Sequence, residues 1–362
     1  MKPILAFLFS AIVLFLFNSC KDNGSEPVTN NIKSPLEMTW TVDTLFYEQG
    51  SQTIMNSIYA SSPRDVWVSG HSDVSYGSMW HYDGTKWSIV DIMIGNARSA
   101  YSLRDISGLS SSNIWVAGIK ILGAYPFTIK NLVFHYNGVK WIDCNSPVIG
   151  FLATVYAESQ TNIWSGGQKG SISHFDGYNW LVDTIKLKAT DIKDYSIKRI
   201  VTYKNQLFIL ITGNDPIRAQ SAYYVTGKMK NWNIVDSMVT NVYPYTYTSG
   251  DYDLYVTPSN RLLSFGNKGI WEYKSGKWES LYYDQTKSIL AVHGVSDNYL
   301  IGAGNSSYAM YYDGSVWRKI EQITNTGRNV QFEAVWTDGK EVFIVGVVTG
   351  GFPNKTVIWH GK

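Results

Sequence analysis

Short apolar runs alternate with polar residues along most of the chain, and the runs recur in a fixed order. Trp80-His81-Tyr82-Asp83-Gly84-Thr85-Lys86-Trp87 returns as Phe134-His135-Tyr136-Asn137-Gly138-Val139-Lys140-Trp141. It returns again as Ser173-His174-Phe175-Asp176-Gly177-Tyr178-Asn179-Trp180 and as Met310-Tyr311-Tyr312-Asp313-Gly314-Ser315-Val316-Trp317. Period-two alternation on both sides of Asp-Gly or Asn-Gly predicts a β-hairpin, because the turn needs residues that accept positive φ. A two-residue turn at Asp83-Gly84 would pair Tyr82 with Thr85, His81 with Lys86 and Trp80 with Trp87. A lone hairpin is marginal in water, so a repeated hairpin implies a repeated sheet.

Aligning on the hairpin tryptophan gives Trp40, Trp87, Trp141, Trp180, Trp232, Trp278 and Trp317, at intervals of about 40–50 residues. Each repeat opens on an apolar strand such as Ser57-Ile58-Tyr59-Ala60. A short polar turn follows, then a strand ending in glycine: Val66-Trp67-Val68-Ser69-Gly70, Ile114-Trp115-Val116-Ala117-Gly118, Ile163-Trp164-Ser165-Gly166. Phe208 to Gly213 and Leu262 to Gly266 keep the order without the tryptophan. Four short strands per repeat predict an all-β fold, a seven-bladed β-propeller of four-stranded blades. The chain stops at Val357-Ile358-Trp359-His360-Gly361-Lys362, one strand short of a blade, while Met38-Thr39-Trp40-Thr41-Val42 lacks a hairpin partner. The N-terminal strand is therefore expected to close the last blade, which removes two free edges.

Composition agrees with half-buried sheet: aromatics are 15% of the 362 residues and charged residues 17%. A net charge of +2 with no basic block argues against nucleic acid as a partner. Lys2, the apolar run Ile4 to Phe17 and Ser19 before Cys20 predict an export signal over residues 1–19. Leu16-Phe17-Asn18-Ser19-Cys20 resembles a bacterial lipoprotein lipobox, which implies lipid attachment at Cys20 and a membrane anchor. Lys21-Asp22 is similar to the export signal of surface lipoproteins in Bacteroidota, which implies an outer-membrane, surface-exposed location. Residues 20–37, polar with Gly24, Pro27 and Pro35, are expected to be a flexible tether, leaving 38–362 as the propeller. Cys144 is expected to be a small apolar side chain in the fold.

Residues 38–362 resemble the broad class of WD-repeat, kelch and Asp-box propellers, and Asp83-Gly84-Thr85-Lys86-Trp87 is similar to the Asp box of sialidase-type propellers. No nucleophile elbow, zinc-protease or phosphate-loop motif occurs. His81, His135, His174 and His360 hold one repeat position and would lie far apart around a ring, so no metal and no cofactor is expected. Loop lengths carry the functional clue. First-to-second and third-to-fourth turns are short, while second-to-third loops and connections between repeats are long and variable. In a propeller the long ones share one face, where binding residues commonly sit. They supply the candidate ligand-binding residues Tyr76, Tyr125, Phe127, Arg218, Tyr243, Tyr245, Tyr247 and Phe352. Such aromatic faces suit a glycan or protein partner. The expected function is a monomeric, non-catalytic envelope lipoprotein whose propeller is a binding platform; the alternative is a glycan-active, glycosidase-like enzyme using the same face.

Overall fold

The protein is described by a computed structural model over residues 32–74, 77–93, 101–122, 128–187, 194–214, 221–239, 245–324 and 329–362. Ile32–Lys362 is one compact unit. The signal segment, most of the tether and Cys20 lie outside the described residues. In chain order, β1 (Trp40–Leu45) precedes β2 (Thr53–Ser62), β3 (Asp65–Ser72), β4 (Met79–Tyr82) and β5 (Trp87–Ile89). Next come β6 (Ser102–Ser110), β7 (Asn113–Leu122), β8 (Thr128–Tyr136) and β9 (Trp141–Asp143). β10 (Leu152–Ser159), β11 (Asn162–Gly167), β12 (Ser171–Phe175) and β13 (Trp180–Thr184) follow. β14 (Asp194–Tyr203), β15 (Gln206–Asn214), β16 (Ser221–Lys228) and β17 (Asn231–Val239) lead to β18 (Asp253–Val256), β19 (Leu262–Lys274) and β20 (Lys277–Ser296). The chain ends with β21 (Tyr299–Gly304), β22 (Ala309–Tyr312), β23 (Trp317–Lys319), the single helical turn α1 (Glu321–Thr324), β24 (Val330–Thr337), β25 (Val342–Val348) and β26 (Thr356–Gly361).

These strands form five hydrogen-bonded sheets, where seven separate ones were expected. Three are four-stranded: β10–β13, β14–β17, and β1 with β26, β25 and β24. An eight-stranded sheet joins β2–β5 to β6–β9 through one residue pair, His71 opposite Ser102. A six-stranded sheet arises because β20 runs unbroken for 20 residues. Its first part pairs with β19 and its last part with β21. The chain also reverses within β19. Arg261 Nε and Nη2 donate to the Glu272 carboxylate at 2.8 and 2.7 Å, which extended strand at about 3.3 Å per residue could not allow. The reversal falls at Lys268, where φ is 70°.

β1 is the outer strand of the last sheet, pairing with β26 from Trp40 opposite Gly361 to Leu45 opposite Thr356. Two chain ends far apart in sequence thus complete one sheet and leave no unpaired edge between them. The hairpin register differs from the two-residue turn expected. Tyr82 pairs with Trp87 and Trp80 with Ile89, across a loop of Asp83 to Lys86. The Asp83 carboxylate decides this: its Oδ1 accepts from the backbone N–H of Thr85 at 2.8 Å and of Lys86 at 3.0 Å, which winds the loop around it. The cross-strand aromatic pairs are consequently Tyr82–Trp87, Tyr136–Trp141, Phe175–Trp180 and Tyr312–Trp317, with ring centroids 5.0–5.3 Å apart.

The core lies between neighbouring sheets. One cluster packs Met55, Val68, Trp80 and Tyr82 against Phe343, Val345 and Ile358, and another joins Tyr299, Ile301 and Tyr311 to Phe332, Ile344 and Trp359. Tyr82 lies 5.9 Å from Phe343, so the last sheet packs on the first. Trp67 lies 5.8 Å from Trp141, between the two halves of the eight-stranded sheet, and Trp115 lies 5.9 Å from Phe175 of the next sheet. Sheets packed face to face in sequence, with the last on the first, make a propeller-like arrangement.

Candidate functional site

Seven strands line one cavity of 380 Å³: β2, β6, β10, β14, β18, the last part of β20, and β24. They share a local device. In six of them the register with the next strand slips by one residue, at Asn56, Arg104, Ala153, Lys198, Leu290 and Glu333. Such a bulge leaves one residue unpaired and bends the strand. In the seventh, Tyr252 stands just before β18. All seven residues line the cavity or sit beside its named lining positions.

The bulge also explains why the second strand of each repeat ends in glycine. A Cβ on Gly70 would lie 2.0 Å from the Ile54 carbonyl oxygen, and one on Gly304 would lie 1.8 Å from that of Ser288. The inner strand presses its backbone onto that position, so no side chain fits there.

Directly after the bulge comes a second ring: Ser57, Asp105, Thr154, Arg199 and Asp253, then Ala291 and Ala334. Its polar members are joined side chain to side chain. Ser57 Oγ donates to Asp105 Oδ1 at 3.0 Å and Thr154 Oγ1 to Asp105 Oδ2 at 2.7 Å. Arg199 Nη1 reaches both Asp105 oxygens at 3.1 Å. Its Nε and Nη2 take the Asp253 carboxylate bidentately at 2.5 and 2.6 Å. Backbone N–H groups of Val155 and Leu254 also donate to these acids. Burial opposes the Arg199 charge, but Asp105 and Asp253 outweigh it and hold its pKa above the ordinary guanidinium value. One cation between two carboxylates thus ties three inner strands together.

The bulge ring above it is more open and mixed in character. Lys198 Nζ stands 4.4 Å over the Tyr252 ring. Tyr252 Oη donates to Glu333 Oε2 at 2.6 Å, and Gln331 Nε2 donates to Glu333 Oε1 at 2.5 Å. Burial raises the Tyr252 pKa, and the Glu333 charge raises it further. Arg104 is exposed, and the buried Asn56 Oδ1 accepts no hydrogen bond among the described residues. Lys198 and Tyr252 also border a second cavity of 320 Å³ that continues toward Gln168, Asp194 and Thr212.

The repeated histidines are clamps. His81 stacks on Trp67 at 4.0 Å, His135 on Trp115 at 4.2 Å, His174 on Trp164 at 4.1 Å and His360 on Phe343 at 3.9 Å. Each Nε2 meets an acceptor: Asp65 at 2.8 Å, Asn113 at 3.1 Å, Asn162, and Glu341 at 2.6 Å. The ring is spent on fixing the outer hairpin against the second strand. Cys144 is half-buried beside Val133, Val155 and Phe175, and burial lifts its thiol pKa to about 11. Among the described residues, no group of His, Cys, Asp and Glu could hold a metal ion.

Of the ligand-binding residues expected from the sequence, Tyr76, Tyr125, Phe127, Arg218 and Tyr243 lie outside the described residues. Tyr245 and Tyr247 are brought together at a cavity of 360 Å³ with Lys268, Thr286 and Lys287. Lys268 Nζ lies 5.1 Å over the Tyr247 ring and donates to the Tyr245 carbonyl at 2.7 Å. Phe352 is 76% exposed and borders none of these cavities. The channel residues were absent from the expected set. They follow no common residue type, and only the glycine opposite each bulge marks where to look.

No protein-family model matches the chain, and no curated protein matches it in sequence. Solved structures do. YCF48 bound to a D1 peptide is similar at 15% identity and a TM-score of 0.61, over 91% of this chain and 97% of that one. YCF48 from Cyanidioschyzon merolae is similar at 14% identity and a TM-score of 0.56, over 88% and 98%. The extracellular domain of BT4673 from B. thetaiotaomicron is similar at 12% identity and a TM-score of 0.53, over 86% of this chain and 41% of that one. Identities this low establish the fold alone. That fold is an all-β propeller with four-stranded sheets.

Proposed function

We propose that the five sheets amount to seven blades around the channel, closed by β1, and that the protein is a non-catalytic binding platform of the cell envelope. One observation carries this reading. Six of the seven inner strands share one bulged backbone geometry at the channel mouth, yet the seven place different side chains there, from Arg104 and Lys198 to Tyr252, Leu290 and Glu333. A rigid frame displaying individually chosen groups is what recognition needs. The bulges sit early in the inner strands, at the end where the long connections emerge, so Tyr245, Tyr247 and Phe352 share that end with the channel mouth. The partner is a protein segment or glycan held by these aromatic and polar groups. A structural neighbour solved with a bound peptide supports the protein. The glycan-active enzyme is the weaker reading, because Asp105 and Asp253 are both taken by Arg199, and Glu333 by Tyr252 and Gln331. In this proposal the protein is anchored to the outer membrane through lipid on Cys20.

The test is to probe glycan and peptide arrays with residues 36–362. Replacing Tyr243, Tyr245 and Tyr247 together with Ser should weaken the recovered interaction and leave the fold intact. Undiminished binding by that variant would remove the loop end from the account. Labelled fatty acid should enter the wild type and not Cys20→Ser.

A further inference from the structure

The end opposite the channel mouth has its own chemistry. It is built from the tight turns within each sheet, and its lysines point outward. Lys86, Lys140, Lys204, Lys230, Lys277 and Lys340 all stand in or beside these turns, are exposed, and form no ion pair among the described residues. Four of the acids at this end are tied down by their own turns. Asp83, Asp176 and Asp338 each accept two backbone N–H bonds from their own turn, and Asp313 does the same while pairing with Arg318. Apolar tips rise between the lysines: Val139 is 85% exposed and Tyr178 87%.

The chain enters the compact unit at this same end. Lys33 N donates to the Gly339 carbonyl at 2.9 Å, in the β24–β25 turn. Tyr299 Oη donates to the Lys33 carbonyl at 3.0 Å, and Lys33 Nζ to the Lys362 carbonyl at 2.6 Å. The residues preceding Ile32 include Cys20, so on the proposed function a lipid anchor joins the unit at this end through a short polar segment. A face of exposed lysines with protruding apolar tips, at the end where the chain enters the unit, matches one surface in charge and shape. We propose that the tight-turn end docks on an anionic bilayer, with the lysines on lipid phosphates and Val139 and Tyr178 in the headgroup layer. The channel mouth and long loops then face away from the membrane. Docking by this face is distinct from acylation at Cys20, and its test leaves the anchor out.

Residues 32–362 contain all the hydrophobic clusters of the fold, so this unit can be examined alone by vesicle co-sedimentation. It should sediment with phosphatidylglycerol vesicles and not with phosphatidylcholine vesicles, and salt should release it. Lys86→Glu/Lys140→Glu/Lys204→Glu should weaken binding by about tenfold or more. The control Lys169→Glu/Lys287→Glu/Lys355→Glu, at the loop end, should bind as the wild type does. Circular dichroism checks that both variants fold. Absence of sedimentation, equal binding to both kinds of vesicle, or equal loss in both variants would overturn the proposal. Labelling at Cys20 and array binding are read separately, so they can succeed where this fails.

Discussion

The inner strands and the outer hairpins come from the same repeat but hold the molecule in opposite ways. At the hairpins the sequence repeats and so does the contact: an aromatic ring stacked on histidine, with its acceptor nearby, as at Trp67, Trp115 and Trp164. Each clamp draws its ring pair and its acceptor from two adjacent strands of one repeat. At the channel the backbone repeats and the side chains do not. Ser57, Asp105, Thr154, Arg199 and Asp253 come from five different strands and bond side chain to side chain with one another. The contrast predicts additive behaviour outside and coupled behaviour inside.

The largest effect should come from a clamp. Trp115 is 2% exposed, and Trp115→Ala should cost about 3–5 kcal/mol in denaturant unfolding. Because clamps are separate, its cost should add to that of Trp164→Ala; strong coupling between them would break the comparison. Arg199→Met should cost about 3 kcal/mol by leaving Asp105 and Asp253 without their cation. Adding Asp105→Ala and Asp253→Ala should return much of that loss. If the triple variant is simply the sum of its parts, the ring is not a network.

Acid sharpens the same contrast at intermediate size. Burial lowers the His293 pKa from 6.5 to about 4, and also lowers those of His71, His135, His174 and His360. A histidine held below its unfolded pKa binds fewer protons folded than unfolded, so stability rises with pH across that interval. It is fully present above about pH 6.5 and falls as pH drops toward 4. His293→Gln should flatten that slope in melts taken across the range; an unchanged slope would mean His293 titrates normally. The smallest effect is expected at His135→Ala, about 1 kcal/mol, since Trp115 keeps its bond to Asn113 at 2.8 Å. A loss as large as that of Trp115→Ala would mean the stack, and not the indole, holds the hairpin.

The limits of sequence show in particular residues. The glycine ending each second strand was visible, but its cause was not, since the bulge that crowds Gly70 and Gly304 lies in a different strand. The Asp-Gly hairpins were visible, but their register was not. Turn propensity favoured two residues, and the Asp83 carboxylate took two backbone N–H groups and made the loop longer. Separate sheets were expected because the repeat is separate in sequence; β20 serves two of them, pairing first with β19 and then with β21 across a step at Asp284, whose Oδ1 accepts from the Thr286 N–H at 2.8 Å.

By itself the sequence determined the strands, their grouping into repeats, and the pairing of β1 with β26, because alternation and periodicity are local properties that one chain segment carries whole. Tertiary structure alone decided the channel. Asp105, Arg199 and Asp253 are separated by 94 and 54 residues, and nothing near any of them encodes the others. Their partnership exists only because the sheets turn every inner strand toward one axis, where a charge can be buried only if an opposite one arrives from elsewhere.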